Sequence, residues 1–327
     1  MVKENPDGIP VTVFATHKDM NSPVLLAADV IGEESPLEGA EYVNWCVEYC
    51  VTNKIDVFVP RYELTSITEY INLFEEKGIK VLASTHDSIK LLEDKNLTYL
   101  KAKETGTPVP PWYIASTASE IAEAYASLTT ELEPEDKVVI KPTVGVGAEG
   151  FRVINNETYT LSELLGSLSR DASIDELLFA YEQAERDGER RPELMLLPFL
   201  DDPEISVDCL SATDGRILKM LPRSKDGRAT SFTDRFPRAT EIVEEWYKNF
   251  DLRYLTNTQL RWWRNDLVLL ETNTRASGGL YSSKLTGLNL MWEAIILAVT
   301  GEENPTPPKL NVSYTSISAF AETDYPF

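Results

Sequence analysis

Histidine and cysteine are scarce in this sequence, with two His and three Cys in 327 residues. Three thiols, Cys46, Cys50 and Cys209, cannot build a disulfide scaffold. Cys46 and Cys50 share one face of an expected helix, but a metal there would need further ligands, and only His17 and His86 exist. Buried thiols are therefore expected. Long apolar runs are missing too. No stretch of 18 or more apolar residues occurs, so no membrane span is expected. The N-terminus, MVKENPDGIPVTVF, has no apolar signal-peptide core, which makes the cytoplasm the default compartment.

Positive charge is in deficit. Lys and Arg number 31 against 53 Asp and Glu, and the formal net charge of −22 disfavours nucleic acid and anionic membranes as partners. A phosphate ligand stays open, because exposed charges are screened beyond about 8 Å and a local basic cluster can govern its own cleft. Glycine-rich dinucleotide and P-loop signatures are lacking as well. After the first expected strand stands HKDMNSPVLLAAD, with no glycine-rich phosphate turn. No repeat or low-complexity tract is visible.

What is present reads as a globular chain, 43% apolar and 26% charged. Strands are expected at Val11–Thr16, Lys54–Pro60 and Gly78–Ser84. Two helical patterns, GAEYVNWCVEYCVTN and LTSITEYINLFEEKG, separate them, and this alternation indicates parallel βαβ units in an α/β domain. SIKLLEDKNLTYLKAKETG reads as a helix ended by Gly106, followed by the proline-rich connection TPVPPW. Beyond it come the strand PWYIAS, the helix TASEIAEAYASLTTEL, and VVIKPTVGVGAEGFRVI, a strand, a glycine loop and a second strand. LSELLGSLSRDA and IDELLFAYEQAERDGERRPE read as helices, ERDGERR being a solvated helix end. ISVDCLSATDGRILKMLPR forms two strands around the turn TDGR, ATEIVEEWYKNF and NLMWEAIILAVTG form helices, and the tail ENPTPPKLNVSYTSISAF adds an edge strand.

Three stretches carry chemistry. In LLETNTRASGG, Glu271, Asn273 and Arg275 alternate on a strand and so share one face. The preceding TNTQLRWWRNDLVLL has its turn signal at Arg264-Asn265-Asp266. A hairpin centred on Asn265 sets Gln259 opposite Glu271 and Asn257 opposite Asn273. Gln259, Glu271 and Asn273 then offer oxygen donors suited to Mg²⁺, which takes its other ligands from water and substrate phosphates. The alternative is a polar sheet surface with Glu271 and Arg275 as a strand pair.

In VVIKPTVGVGAEGF, an apolar strand ends in Lys141 before Gly145, Gly147 and Gly150. Glycines let backbone N–H groups approach a polyanion, and the lysine supplies a point charge for phosphate. A plain hairpin loop is the alternative reading. In LMLLPFLDDPEISVDCL, the extended segment Leu194–Leu200 is suited to a flat base and Glu204 to ribose hydroxyls, or it is a core strand with an acidic turn.

In order and spacing, these stretches together resemble the ATP-grasp superfamily, most closely the large subunit of carbamoyl-phosphate synthetase, from about Lys95 to Gly301. The resemblance implies an α/β (α+β) fold: a shortened pre-ATP-grasp half-Rossmann domain over 1–93, then a two-lobed ATP-grasp domain. Its N-terminal lobe with the lid would span 94–198, and its C-terminal lobe with the metal site 199–327. Lys95 and Lys141 would contact phosphates, and Gly145, Gly147 and Gly150 would form the lid. The hinge Met195, Leu197, Phe199 and Leu200 would bind adenine, mostly through backbone because Leu197 stands where an acid is usual, and Glu204 the ribose. Gln259, Glu271 and Asn273 would hold the metal, Mg²⁺ or alternatively Mn²⁺. Arg275 and Arg223 would orient the carboxylate or the transferring phosphoryl group. LTGLNL is similar to the family's A-T-G-x-x-L.

The implied activity is ligation of a small-molecule carboxylate to an amine, less often a thiol, through an acyl phosphate, with ATP going to ADP and phosphate. Alternatives are a non-catalytic nucleotide-binding protein and a carboxylate kinase without ligation. Arg223, Lys225, Arg235, Ser277 and Lys284 are polar candidates for substrate contact. The chain is expected to begin at the second strand of the pre-ATP-grasp domain, and without a second ATP-grasp half, carbamoyl-phosphate synthesis itself is not expected. Related enzymes are often dimers, so a homodimer is implied.

Overall fold

The computed structural model describes residues 1–145, 149–154, 171–226 and 229–315. The N-terminal region holds two short parallel strand pairs. β1 (Phe14–His17) pairs with β2 (Val30–Glu33), and β3 (Val57–Phe58) with β4 (Lys80–Val81). The sequence expectation missed β2, whose short VIGE run carries little apolar signal. Between the pairs lies α1 (Gly39–Thr52), which buries Tyr42, Val43, Cys46, Val47 and Cys50 against α2 (Leu64–Glu69) and α3 (Asn72–Glu75). One helix was expected where α2 and α3 stand. Thr68 Oγ1 donates back to the Leu64 carbonyl at 2.8 Å and to that of Thr65 at 3.2 Å, a bond that competes with the helix ladder and bends it. Burial raises the thiol of Cys46 to about 12 and that of Cys50 to about 11, and neither forms a disulfide.

The expected helix 88–106 is likewise broken, into α4 (His86–Glu93) and α5 (Lys95–Thr105). Asp94 leaves helical geometry at ψ 116° and its Oδ1 caps the Leu97 N–H at 2.9 Å. Gly106, at φ +74°, ends α5 in the left-handed conformation that suits glycine.

A five-stranded sheet follows, in the order β5 (Tyr113–Ala115), β9 (Leu194–Pro198), β6 (Val138–Pro142), β7 (Arg152–Ile154), β8 (Asp171–Ala172). Two capping-box helices, α6 (Ala118–Glu131, capped by Thr117 and Glu120) and α7 (Ile174–Asp187, capped by Ser173 and Glu176), belong to this part. Residues of α6 and α7 join Ala115, Val138, Ile140, Leu194 and Leu196 in one core cluster. Of the expected helix 161–172, only Asp171 and Ala172 lie within the described residues, and they form β8 beside β7.

The second large sheet has six strands, in the order β14 (Asp266–Asn273), β13 (Tyr254–Trp263), β10 (Asp201–Ser211), β11 (Ile217–Asp226), β12 (Ala229–Phe232), β15 (Val312–Thr315). α8 (Pro237–Tyr247) packs Trp246, Tyr247, Ile242 and Val243 on one face with Val207 and Cys209. α9 (Leu290–Thr300) joins Leu210, Leu221 and Phe232, together with Leu82 from the N-terminal region, in another cluster. Among the described residues no helix is long and apolar enough to cross a membrane.

Candidate functional site

The β13–β14 hairpin turns on two residues, Arg264 and Asn265, both left-handed at φ 49° and 68°, as a two-residue hairpin turn requires. Trp263 pairs with Asp266, so the turn centre is half a residue earlier than expected. A bulge then takes up one extra residue of β14 between the Leu260–Leu269 and Gln259–Glu271 pairs. Beyond it, Gln259 faces Glu271 and Asn257 faces Asn273, the pairing the sequence suggested. The bulged Leu270 carbonyl accepts from Tyr99 Oη at 3.3 Å, which ties α5 to this strand.

The row extends across the sheet. Ser206 of β10 pairs with Gln259 on one side and Arg223 of β11 on the other, while Asp208 pairs with Asn257. Arg223, Ser206, Gln259 and Glu271 therefore share one face, with Asp208, Asn257 and Asn273 beside them. Asn257 Nδ2 donates to Asp208 Oδ1 at 2.8 Å and to Ser206 Oγ at 2.9 Å. Arg223 Nη2 donates to Asp208 Oδ2 at 3.2 Å, and both are nearly inaccessible. A bonded buried pair of this kind is costly to break from one side.

Asn273 Nδ2 donates to Glu271 Oε1 at 3.1 Å, and among the described residues no donor reaches Glu271 Oε2. Gln259, Glu271 and Asn273 are all half-buried. Their oxygens suit a hard divalent cation that takes other ligands from phosphates and water. Among the described residues no group of three His, Cys, Asp or Glu exists to hold a metal elsewhere.

Lys95 and Lys141 approach this face from the other sheet's side. Lys95 opens α5, and its backbone N–H donates to the Thr143 carbonyl at 2.9 Å. Its Nζ donates to the Gly145 carbonyl at 3.0 Å. Lys141, near the end of β6, sits over the Tyr99 ring at 5.6 Å. Both are buried, at 8% and 7% exposure, and among the described residues neither has a carboxylate within ion-pair distance. Burial holds Lys141 down to about 8, with the Lys95 charge adding to the shift and Glu271 opposing it. Lys95 is lowered by burial as well, and Glu271 again pulls the other way. Two buried ammonium groups near one carboxylate are residues that could hold a polyanion.

Of the expected lid glycines, Gly145 and Gly150 are described, and Gly147 lies outside the described residues. Gly150 has φ +68°, and a Cβ there would lie 2.7 Å from the Pro142 ring, so any side chain at this position is strained. In the hinge, Met195 and Leu197 are buried with Tyr99 and Val139, Leu200 is buried, and Phe199 is exposed. Glu204 lies 3.7 Å from Arg261, which also reaches Asp202 at 3.0 Å and the Leu200 carbonyl at 2.9 Å.

Among the polar candidates, Ser277 Oγ accepts from Arg223 at 3.4 Å, whereas Lys284 pairs with Glu4 at 2.6 Å beside the N-terminal segment. The Lys225 side chain lies outside the described part. Sequence reasoning placed Asn257 opposite Asn273 without giving it a role, and it missed Asp208, Arg261, Tyr99 and Arg61. The period of two in SVDC could have flagged Asp208, but no local signal marks Arg61.

A family model described as ATP-grasp in the biosynthetic pathway with Ter operon matches residues 190–320, the stretch that carries β10 to β14. Over that stretch the chain is similar to the ATP-grasp superfamily. Within curated proteins it is 25% identical over 225 residues to the carbamoyl phosphate synthase large chain of Rubrobacter xylanophilus, which covers 66% of this chain and 20% of that relative. The chain thus spans about a fifth of that relative's length. Two solved structures share the ATP-grasp fold at 17% identity. N5-carboxyaminoimidazole synthetase from Staphylococcus aureus superposes with a TM-score of 0.62 over 91% of this chain and 73% of its own. The biotin carboxylase domain of 2-oxoglutarate carboxylase from Hydrogenobacter thermophilus, in complex with MgADP and bicarbonate, gives 0.65 over 94% and 68%. These similarities support the ATP-grasp resemblance read from the sequence, and the mixed helix-and-sheet fold agrees with it.

Proposed function

We propose that the cleft between the five- and six-stranded sheets binds ATP with a divalent cation and activates a small-molecule carboxylate for ligation to an amine or thiol. The observation that carries this reading is the burial of Lys95 and Lys141 beside the Glu271 strand: Lys141 lies over the Tyr99 ring, and Tyr99 Oη bonds the Leu270 carbonyl next to Glu271. Desolvated lysines with no carboxylate ion pair among the described residues suit a polyanion as counter-charge, and a single carboxylate with two amides leaves room for phosphate oxygens on a metal.

In the proposed reaction a carboxylate oxygen of the substrate attacks the γ-phosphorus of ATP and ADP leaves. The acyl phosphate gives the carbonyl carbon a phosphate leaving group in place of oxide. The amine then attacks, the acyl C–O bond breaks, and phosphate and a proton are released. A bound Mg²⁺, held by Gln259, Glu271 and Asn273, would supply neutralisation of phosphate charge. Lys95 and Lys141 would fix the phosphates, and Arg275 and Arg223 would orient the carboxylate and the transferring group bidentately. The loop with Gly145 and Gly150 would cover the nucleotide and exclude water. Met195, Leu197, Phe199 and Leu200 would present backbone to adenine, and Glu204 would reach the ribose by exchanging Arg261 for a hydroxyl. Division into a first domain over 1–93 and lobes over 94–198 and 199–327 is part of the same reading.

The test is an ADP-release screen with MgATP over pools of amino acids, dicarboxylates and amines, with products named by mass spectrometry. ADP is expected only when a carboxylate and a nucleophile are both present. Lys141→Ala and Glu271→Ala should each remove several kcal/mol of transition-state stabilisation, at roughly tenfold per 1.36 kcal/mol. Full activity in both variants would remove the assignment. ADP formed without any amine would make the protein a carboxylate kinase.

A further inference from the structure

Three guanidinium groups gather around the segment Arg275 to Gly279, where the chain leaves β14. Arg275 contributes its own. Arg61, from the loop after β3, donates from Nη1 to the Ala276 carbonyl at 3.0 Å. Arg223, from β11, donates to Ser277 Oγ at 3.4 Å and lies so close to Gly279 that a Cβ there would be 2.8 Å from its Nη1.

Their charges are met differently. Arg223 is balanced by buried Asp208. Among the described residues no carboxylate lies within ion-pair distance of Arg61 or Arg275. Arg61 is exposed as a residue, yet partial loss of water at its guanidinium, with the Arg275 charge close by, lowers its pKa. The charge of Arg275 is also felt by Lys95, as it is by Arg61. Like charges repel unless an anion joins them, and a planar fork on each side matches the oxygens of a carboxylate or phosphate. Lys95 and Lys141 already serve the nucleotide, so this pair is left for a second ligand.

We propose that Arg61 and Arg275 clamp an acceptor substrate that carries two negative charges, as a dicarboxylate or a phosphate monoester does. The N-terminal region then supplies a substrate-binding residue as well as a scaffold. That the ligand is the acceptor rests on the nucleotide reading above; that the site takes a dianion does not.

The test is calorimetric titration of the full chain with succinate, inorganic phosphate and acetate, with and without Mg²⁺ and a non-hydrolysable ATP analogue. Wild type should bind succinate or phosphate roughly tenfold or more tighter than acetate, with an affinity that falls as salt rises. Which of the two binds tighter names the acid as dicarboxylate or phosphate ester. Arg61→Met should weaken that dianion roughly tenfold or more, while Arg61→Lys, which keeps the charge and loses the fork, should fall between. Affinity for the ATP analogue should change less than about twofold in both variants. Equal dianion affinity in Arg61→Met and wild type, with or without a drop in Tm, would overturn the clamp and leave Arg61 a structural tether. So would a wild type that prefers neither dianion to acetate. Failure of the ATP analogue to bind wild type would instead overturn the nucleotide reading, and the nucleotide-free titrations would still decide the clamp.

Discussion

The same three strands build two unlike faces of the six-stranded sheet. One face carries Ser206, Asp208, Asn257, Gln259, Glu271 and Asn273, and the other carries Val207, Cys209, Thr256, Thr258 and Thr272. On the second face α8 closes every polar contact it makes. Trp246 Nε1 donates to Thr272 Oγ1 at 3.0 Å, and Tyr247 Oη meets Thr256 Oγ1 at 2.9 Å and accepts from Thr258 at 3.1 Å. The first face is left incomplete: among the described residues the buried Asn257 Oδ1 has no partner and Glu271 Oε2 receives no donor. The helix face bonds the polar groups that α8 reaches, although Ser211 Oγ there has no partner among the described residues; the open carboxylate and amide oxygens of the first face are the ones the proposed reading assigns to a ligand.

The largest effect that tests this contrast is expected from Glu271→Ala. ADP release should fall by about 10³-fold or more, the loss of roughly 4 kcal/mol in the transition state, while the urea midpoint barely moves. On the helix face the balance reverses. Trp246→Ala should lower stability by about 3–5 kcal/mol, read by urea unfolding, with residual folded protein still binding nucleotide. A Trp246→Ala variant that keeps its stability would break the comparison.

A smaller effect falls on the loop between β6 and β7. Gly150→Ala puts a Cβ against Pro142 at a φ of +68° and should cost about 1–2 kcal/mol in thermal unfolding. The smallest is a proton count. Because Lys141 is held down to about 8 in the folded chain against 10.5 when solvated, the unfolded chain binds the extra proton between those values. Stability without ligand should therefore rise with pH across about 8 to 10.5. Nucleotide binding restores the lysine's charge, so above pH about 8 it should take up part of a proton, seen as a buffer-dependent calorimetric enthalpy.

How much of this was legible depends on the range of the signal. Alternation with a period of two put Glu271 and Asn273 on one face, and the hairpin found Gln259. The register held at the site only because the bulge at Leu270 offset a turn centred half a residue away, and nothing in LVLLE marks a bulge. The break at Asp94 carried a local sign, an N-cap aspartate, which continuous apolar patterning overrode. Asp208 was readable in hindsight from the alternation in SVDC. Arg61 was not, because its partner Ala276 is brought near only when the N-terminal region folds against the exit from β14.

The central claim is that Lys141 and Glu271 belong to one nucleotide–metal cleft. A calorimetric titration of a non-hydrolysable ATP analogue, with and without Mg²⁺, into wild type, Lys141→Met and Glu271→Ala tests it most directly. Mg²⁺-enhanced binding is expected in wild type, with loss of that enhancement in Glu271→Ala and weak binding with or without metal in Lys141→Met. Identical Mg²⁺ dependence in all three proteins would contradict it.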